Sequence, residues 1–466
     1  MSNLELPYFD DATDWFEILS PLGKPMLLDG ANHSRANNDI ITAGPSATLA
    51  LWPERLELTQ DDQLSCHSPA QFFELLRKLH QPESSQQDRE ARLFTRGLIG
   101  YIGYDVNQVL DAICPIGDKH NPTIPTAFVS RYDWAVVQCH GSHRAWLTVQ
   151  DHKLHQQIMN LVQQYRERCD SAVEVLSDNV QPRTWTASTS LAEYQKAIAA
   201  IHGYINAGDC YQVNYTQRFS ATYSESALAI YKRVKRSVQS PFNALIPVSD
   251  DQAVISVSPE RLVQLKNSEI TTQPIKGTMP RFDDPAADQA AKETLVNSEK
   301  DRAENLMIVD LLRNDIGRVA KPSSVKVSKL FDVEPYANVF HLVSTIKAQL
   351  DEQYDAVDLL EATLPGGSIT GAPKIRAMEI IEELESTRRS AYCGTIFYLS
   401  SHGNLDSNVA IRTLVKDQDA LHIWGGGGIV ADSNANAEQA ESRNKIRAFV
   451  SALGGELEHD QELENG

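Results

Sequence analysis

Apolar residues recur along the chain at two spacings, every second residue and every third or fourth, and the switches between them mark out the elements. In the first 180 residues the pattern predicts strands at 93–104, 127–137 and 145–149 between helices at 69–79 and 154–168. Polar residues 81–89 read as a loop and polar residues 176–190 as a linker. A helix then starts with a capping box, Ser190 with Glu193; Tyr194, Ile198, Ile201 and Ile205 form its stripe, and Gly208 supplies a left-handed stop. Residues 210–219 alternate as a strand, with Val213, Tyr215, Gln217 and Phe219 on one face and Gln212, Asn214 and Thr216 on the other. Residues 253–263 read as one strand that Pro259 bends into a bulge or an edge. A long helix is predicted over 297–319, a hairpin over 392–400 and 406–414, a strand at 422–424 running into four glycines, and a last helix over about 436–453. The acidic end, 454–466, reads as disordered.

Composition narrows the partners. The 466 residues are 42% hydrophobic and 23% charged, a globular mix, and the net charge of −19 repels nucleic acid and anionic membrane. An anionic ligand would need positive charge supplied locally. The six cysteines are scattered without a C-x-x-C pair, the start of the chain is acidic where a signal peptide would be basic, and no apolar run reaches membrane-helix length. These features point to a cytoplasmic protein with reduced thiols.

Candidate chemistry sits in the second half; the first 180 residues show no acid, base or metal constellation. Glycines 97, 100 and 103 precede no credible helix start, so they read as a closely packed strand and not as a dinucleotide fingerprint. Pro274, Gly277 and Pro280 predict a tight, exposed turn carrying Lys276, either a solvated lysine or a nucleophile whose amine must be made neutral. In the 297–319 helix, Asp301 and Glu304 lie in line with the apolar stripe, as an acidic first turn or as ligands for a cation. Glu438, Glu441 and Lys445 share one face of the last helix. Two acidic i, i+3 pairs suit a hard cation such as Mg²⁺. Glycines 366, 367 and 371 lead to Pro373 at a helix start, which leaves N–H groups free to hold an anion but lacks the ending of a nucleotide loop. Arg412 reads as a mid-strand residue, paired either with a ligand carboxylate or across the strand, and four glycines at 425–428 make sense where a ligand or another backbone comes close. Together these describe a site for a small polycarboxylate bound partly through a metal.

The runs SPER (258–261), PIKGTMPR (274–281), KDRAENLMIVDLLRNDIGR (300–318), HLVST (341–345), LPGGSITGAPK (364–374), YCGT (392–395) and GGGIVADS (426–433) resemble the chorismate-utilising enzymes over most of residues 190–450. That family includes anthranilate, isochorismate, salicylate and aminodeoxychorismate synthases. The resemblance implies an α+β fold, a four-layer α/β/β/α sandwich, with residues 1–180 as a more variable region that often holds a tryptophan pocket, 181–455 as the chorismate-binding region and 456–466 as a flexible tail. It implies Mg²⁺ on Glu304 and Glu441, with Asp301 and Glu438 binding through water. Gly427 and Gly428 would meet the ring carboxylate, Arg412 and Tyr392 the enolpyruvyl carboxylate, Lys445 and Gln212 would also bind substrate, the metal, Arg412 and Lys276 would supply positive charge, and Glu260 would act as acid and base near the C4 hydroxyl. His341 and Ser368 would line the ring. Gln212 stands where the isochorismate and salicylate branch resembles it but carries a water-activating lysine, and Lys276 stands where anthranilate synthases usually carry alanine. The pair resembles the aminodeoxychorismate synthase branch, with anthranilate synthase or a catalytically silent tryptophan-binding scaffold as alternatives. No glutaminase motif is present, so the resemblance implies a separate glutamine amidotransferase subunit as the ammonia source. Residues 27–30, Leu-Leu-Asp-Gly, depart from the L-L-E-S run of feedback-inhibited relatives.

Overall fold

The computed structural model describes residues 4–31, 33, 36–82, 93–110, 119, 122–171, 183–238, 240–335 and 339–458. They form two large, mainly antiparallel sheets, of 13 and 12 strands, with helices packed against them. One hydrophobic core takes side chains from both sheets, including Val254 and Tyr215 from the first and Ile99 and Phe128 from the second. A second core lies between the first sheet and helices such as Ala12–Leu19 and Ala435–Ala452. This is the expected mixed α and β sandwich, and strands from the two halves of the chain share both sheets. No helix among the described residues is long and apolar enough to cross a membrane.

The helix at Leu191–Ala207 forms as its caps dictate: Ser190 Oγ accepts from the Glu193 N–H, and Gly208 takes φ 82°. The packed-strand reading of Gly97–Ile102 also holds. It lies between the strands Ala127–Tyr132 and Thr395–Ser400, and a Cβ on Gly100 would come 2.1 Å from the Phe128 carbonyl oxygen.

Several boundaries differ from the sequence reading, most because a local pattern does not reveal which sheet a strand joins. Residues 127–137 form two strands, Ala127–Tyr132 and Val136–Cys139, in different sheets. Part of the expected linker, Arg183–Ala187, is a strand, and it pairs in parallel with Gly455–Leu457 in the expected disordered tail. Residues 83–89 of the polar loop, 176–182 of the linker and 459–466 of the tail lie outside the described residues. Most consequential are residues 253–263. The strand Gln252–Ser258 belongs to the first sheet and Arg261–Lys266 to the second, so Pro259 and Glu260 carry the chain across the gap where one bent strand was expected. The chain crosses back between Leu405–Asn408 in the second sheet and Thr413–Asp417 in the first, which makes Arg412 a crossing residue at φ 51° and not a mid-strand one. The crossings are bonded together: the Val409 N–H donates to Glu260 O at 3.0 Å, Ser258 Oγ to Val409 O at 2.6 Å, and the Val257 N–H to Arg412 O at 3.0 Å.

Candidate active site

A cavity of about 460 Å³ opens at these crossings, and every residue to which the family resemblance gives a site role, except Gln212, lines it. Glu260 and Arg412 come from the two crossings. Asp301 and Glu304 come from the helix Glu299–Gly317, and Glu438, Glu441 and Lys445 from the helix Ala435–Ala452. Gly427 and Gly428 end the strand Ala420–Ile429, Ser368 lies in the turn Gly367–Ile369, and Tyr392 and His341 close the wall. Gln212 lies just behind that wall: a Cβ on Gly428 would meet its Nε2 at 2.1 Å, and its Oε1 is buried without a partner among the described residues.

Lys276 is not on an exposed turn. It lies in the strand Ile275–Pro280, paired with Val339–Gln349, and its side chain is 17% exposed. The turn signals mark a register shift between Lys276 and Thr278, where Gly277 takes φ 70°. A Cβ there would come 2.9 Å from Asp301 Cγ, so the glycine lets the lysine strand and the acidic helix meet. Burial holds the Lys276 amine below its ordinary value, against the opposing pull of Glu304 with its carboxylate at 4.0 Å, and the Lys445 charge adds to the lowering. Burial raises the Glu304 carboxyl in turn. Burial would also raise Glu441, but Lys445 at 2.6 Å outweighs it and the carboxyl sits below its ordinary value.

The other groups are held by near neighbours. Lys445 Nζ donates to Gly426 O at 3.1 Å, Ser433 Oγ to Glu438 Oε1 at 2.7 Å, and Thr278 Oγ1 bonds His341 Nδ1 at 2.9 Å. Arg412 has no carboxylate partner among the described residues, which removes the cross-strand alternative, and burial lowers its guanidinium below the usual range. Tyr392 stacks on Trp424 with centroids 5.7 Å apart, and burial holds its phenol well above 10.

The helix N-terminus at Lys374–Leu384 is not part of the cavity wall. Lys374 Nζ instead donates to Asp315 Oδ2 at 2.5 Å and to Pro365 O at 3.0 Å, tying the glycine-rich loop to the acidic helix. The glycine run serves close packing. A Cβ on Gly425 would come 2.3 Å from Ser442 O, while one on Gly427 would point at Glu438, Glu441 and Lys445. The sequence reading singled out neither Asn214, Lys300, Ile411 nor Trp424, all of which line the cavity. Their signals were weak: Asn214 sits on the polar face of its strand, and Trp424 directly precedes the glycines.

No group of three or more His, Cys, Asp or Glu side chains among the described residues is arranged to hold a metal. The four carboxylates nevertheless offer oxygen donors from two helices facing one cavity. That set fits Mg²⁺, which takes one or two protein carboxylates and completes its shell with water and ligand.

A second cavity, of about 150 Å³, lies beside Leu28, Asp29 and Gly30 with Phe242, Asn243 and Tyr398. It borders a buried polar cluster that the sequence reading of the first half did not find. Lys235 Nζ is 2.6 Å from Asp29 and His140 Nε2 is 2.9 Å from Asp39, while Tyr231 donates to Asp29 Oδ2 at 2.7 Å. Both side-chain polar atoms of Asn243 are buried without a partner among the described residues.

The model of the family described as chorismate binding enzyme matches residues 23–451. Aminodeoxychorismate synthase component 1 of Klebsiella aerogenes is 41% identical over 453 residues, 97% of this chain and 98% of that one. The protein of that name from Escherichia coli K12 is 40% identical, over 95% and 96%. Anthranilate synthase component 1 of Aquifex aeolicus is 36% identical over 78% of this chain and 76% of its own. The crystal structure of anthranilate synthase component I from Streptococcus pneumoniae TIGR4 superposes with a TM-score of 0.77 and 29% identity, over 90% of this chain and 93% of that one. The menaquinone-specific isochorismate synthase of Escherichia coli, 18% identical with a TM-score of 0.69 over 97% and 94%, shares the fold.

Proposed function

The chain belongs to the chorismate binding enzymes, and from that premise we infer that its larger cavity aminates chorismate at C4, giving 4-amino-4-deoxychorismate on the route to 4-aminobenzoate and folate. Relatives of that activity align over nearly the whole chain. The observation that carries the reading is a lysine amine, kept below its ordinary value by burial, in a cavity that otherwise offers anion-holding groups and carboxylates.

Chorismate is a dianion, and this acidic chain meets it with local positive charge. Arg412, which has no carboxylate partner among the described residues, and Tyr392 receive the enolpyruvyl carboxylate; Gly427 and Gly428 N–H groups with Lys445 receive the ring carboxylate. Glu304 and Glu441 would hold Mg²⁺ directly and Asp301 and Glu438 through water, and the bound ion supplies further positive charge at that carboxylate. His341 and Ser368 line the ring, and Gln212 backs Gly428 from behind.

Lys276 Nζ, as the neutral amine, bonds to C2 while both ring double bonds shift toward C4. The C4–O bond breaks, and Glu260 gives the departing hydroxyl its proton so that it leaves as water. Ammonia then bonds to C4, the double bonds return and the C2–N bond breaks. Lys276 leaves as the neutral amine, and Glu260 recovers its proton from the new C4 ammonium. The sum is chorismate plus ammonia giving aminodeoxychorismate plus water.

Ammonia comes from a separate glutamine amidotransferase subunit. Incubated with chorismate, Mg²⁺ and ammonium salt, the purified chain is expected to form a product that an aminodeoxychorismate lyase converts to 4-aminobenzoate; with glutamine alone it forms none. Fluorescent 2-aminobenzoate as the main product would instead establish the anthranilate synthase alternative, and unchanged chorismate the silent-scaffold one. Chelation of divalent ions is expected to stop turnover and added Mg²⁺ to restore it; undiminished turnover in excess chelator removes the metal from the reading.

We assign the second cavity to tryptophan: its lining offers Phe242 and Tyr398 to an indole, and Asn243 an amide without a partner among the described residues. Acid extraction of the purified protein is expected to release it, and an extract free of tryptophan from cells rich in it rejects the assignment. The reaction needs only soluble partners, and the free thiols of Cys66, Cys139, Cys169, Cys210 and Cys393 suit the reducing cytoplasm in which we place the chain.

A further inference from the structure

Asn214 lies on the strand Gln212–Thr222, opposite Gly428 in the register, with its side chain lining the cavity at 7% exposure. Its backbone is held from two directions: the N–H donates to Thr370 O at 2.8 Å, and the carbonyl accepts from Arg389 Nη2 at 2.6 Å. The side-chain amide, in contrast, makes no hydrogen bond with any other described residue. The amide is not among the fully enclosed polar groups that lack a partner; it opens on the cavity, so its partner is whatever fills that cavity.

The chemistry of the amide narrows that partner. A carboxamide both donates and accepts, whereas a carboxylate or an enol ether only accepts. In the reading above, both carboxylates of chorismate already have cationic or N–H partners. The C4 hydroxyl both donates and accepts, so it can meet Asn214 as well as Glu260, and the nitrogen that replaces it has the same character. We propose that Asn214 hydrogen-bonds the C4 substituent, reading the hydroxyl of chorismate and then the amine of the product. The proposal rests on the chorismate reading. It makes Asn214 a specificity residue at the reacting carbon, in contact with substrate but taking no part in proton transfer.

Binding of chorismate and of 4-deoxychorismate, which carries hydrogen in place of the C4 hydroxyl, is compared by calorimetry with Mg²⁺ and without ammonium. A Lys276→Met background keeps chorismate from being consumed. With Asn214 in place, chorismate is expected to bind about tenfold more tightly than the analogue, the scale of one neutral hydrogen bond. With Asn214→Leu that preference is expected to shrink several-fold, what remains being the contact of Glu260 with the hydroxyl. The ratio is taken within each protein, so a general loosening of the site cancels, and Asn214→Ala is read in the same way should the leucine variant not fold. A preference undiminished in the variant, or equal binding in the parent, overturns the role of Asn214 and leaves the chorismate reading standing. A parent that binds neither ligand overturns both.

Discussion

If Lys276 is the nucleophile proposed above, Lys276→Met is expected to lower amination of chorismate at C4 on the order of 10³-fold while leaving chorismate binding within a few-fold, because it removes the amine without opening the cavity. Methionine has a similar length and no charge, so the strand Ile275–Pro280 and its pairing with Val339–Gln349 should be retained. Starved of ammonium, the parent chain should accumulate a chorismate-derived adduct on Lys276, visible as an added mass on the intact protein, and the variant should not. The pH dependence follows from the direction of the amine's shift. At the ordinary lysine value roughly one amine in 2,500 is neutral at pH 7, and burial enlarges that fraction. Because the step also needs Glu260 protonated, adduct formation is expected to be bell-shaped in pH, with its upper limb falling below the ordinary lysine range near about 10.4. An upper limb within that range means a solvated amine, and turnover unchanged in the methionine variant removes the covalent step altogether.

Arg389→Met is expected to cost about 3–5 kcal/mol of stability, the scale of a buried pair that loses one member. Arg389 is 1% exposed and makes both of its carboxylate bonds to Glu385, at 2.6 and 2.9 Å. It also donates to Ile369 O at 2.8 Å and Asn214 O at 2.6 Å, and lies over the Tyr104 ring at 4.4 Å. Glu385 in turn accepts from the N–H and hydroxyl of Thr216. The variant would strand that carboxylate and release two backbone segments of the cavity wall, so chorismate affinity should fall with stability. Chemical denaturation of both proteins checks the loss; a change below about 1 kcal/mol, the worth of an exposed pair, means the cluster is solvated.

The acids on the helices Glu299–Gly317 and Ala435–Ala452 were legible because a helical repeat fixes which residues share a face. Their gathering with Lys276, Glu260, Arg412 and the glycine run in one cavity agrees with that reading. Asn214 and Trp424 were not legible as site residues, since an alternating polar position or an aromatic before glycines is equally common in ordinary strands. Arg389 carried no signal at all. Its carboxylate lies four residues earlier in the chain, but the carbonyls it clamps belong to residues 214 and 369, which only folding brings near it.

From its residues alone, the chain determined its caps, its amphipathic helices, its acidic character and the side chains able to hold a dianion. These depend on local spacing and on the chemistry of single groups. Tertiary structure decided what Pro259, Gly277 and Arg412 do. The first and last carry the chain between sheets and the second lets a strand touch a helix, where local signals had suggested a bulge, a turn and a mid-strand residue. A proline or glycine states which backbone angles are allowed and is silent on which partner lies across the gap. That partner is chosen by the burial of side chains hundreds of residues apart, and with it the desolvation that moves the Lys276 amine from its ordinary range.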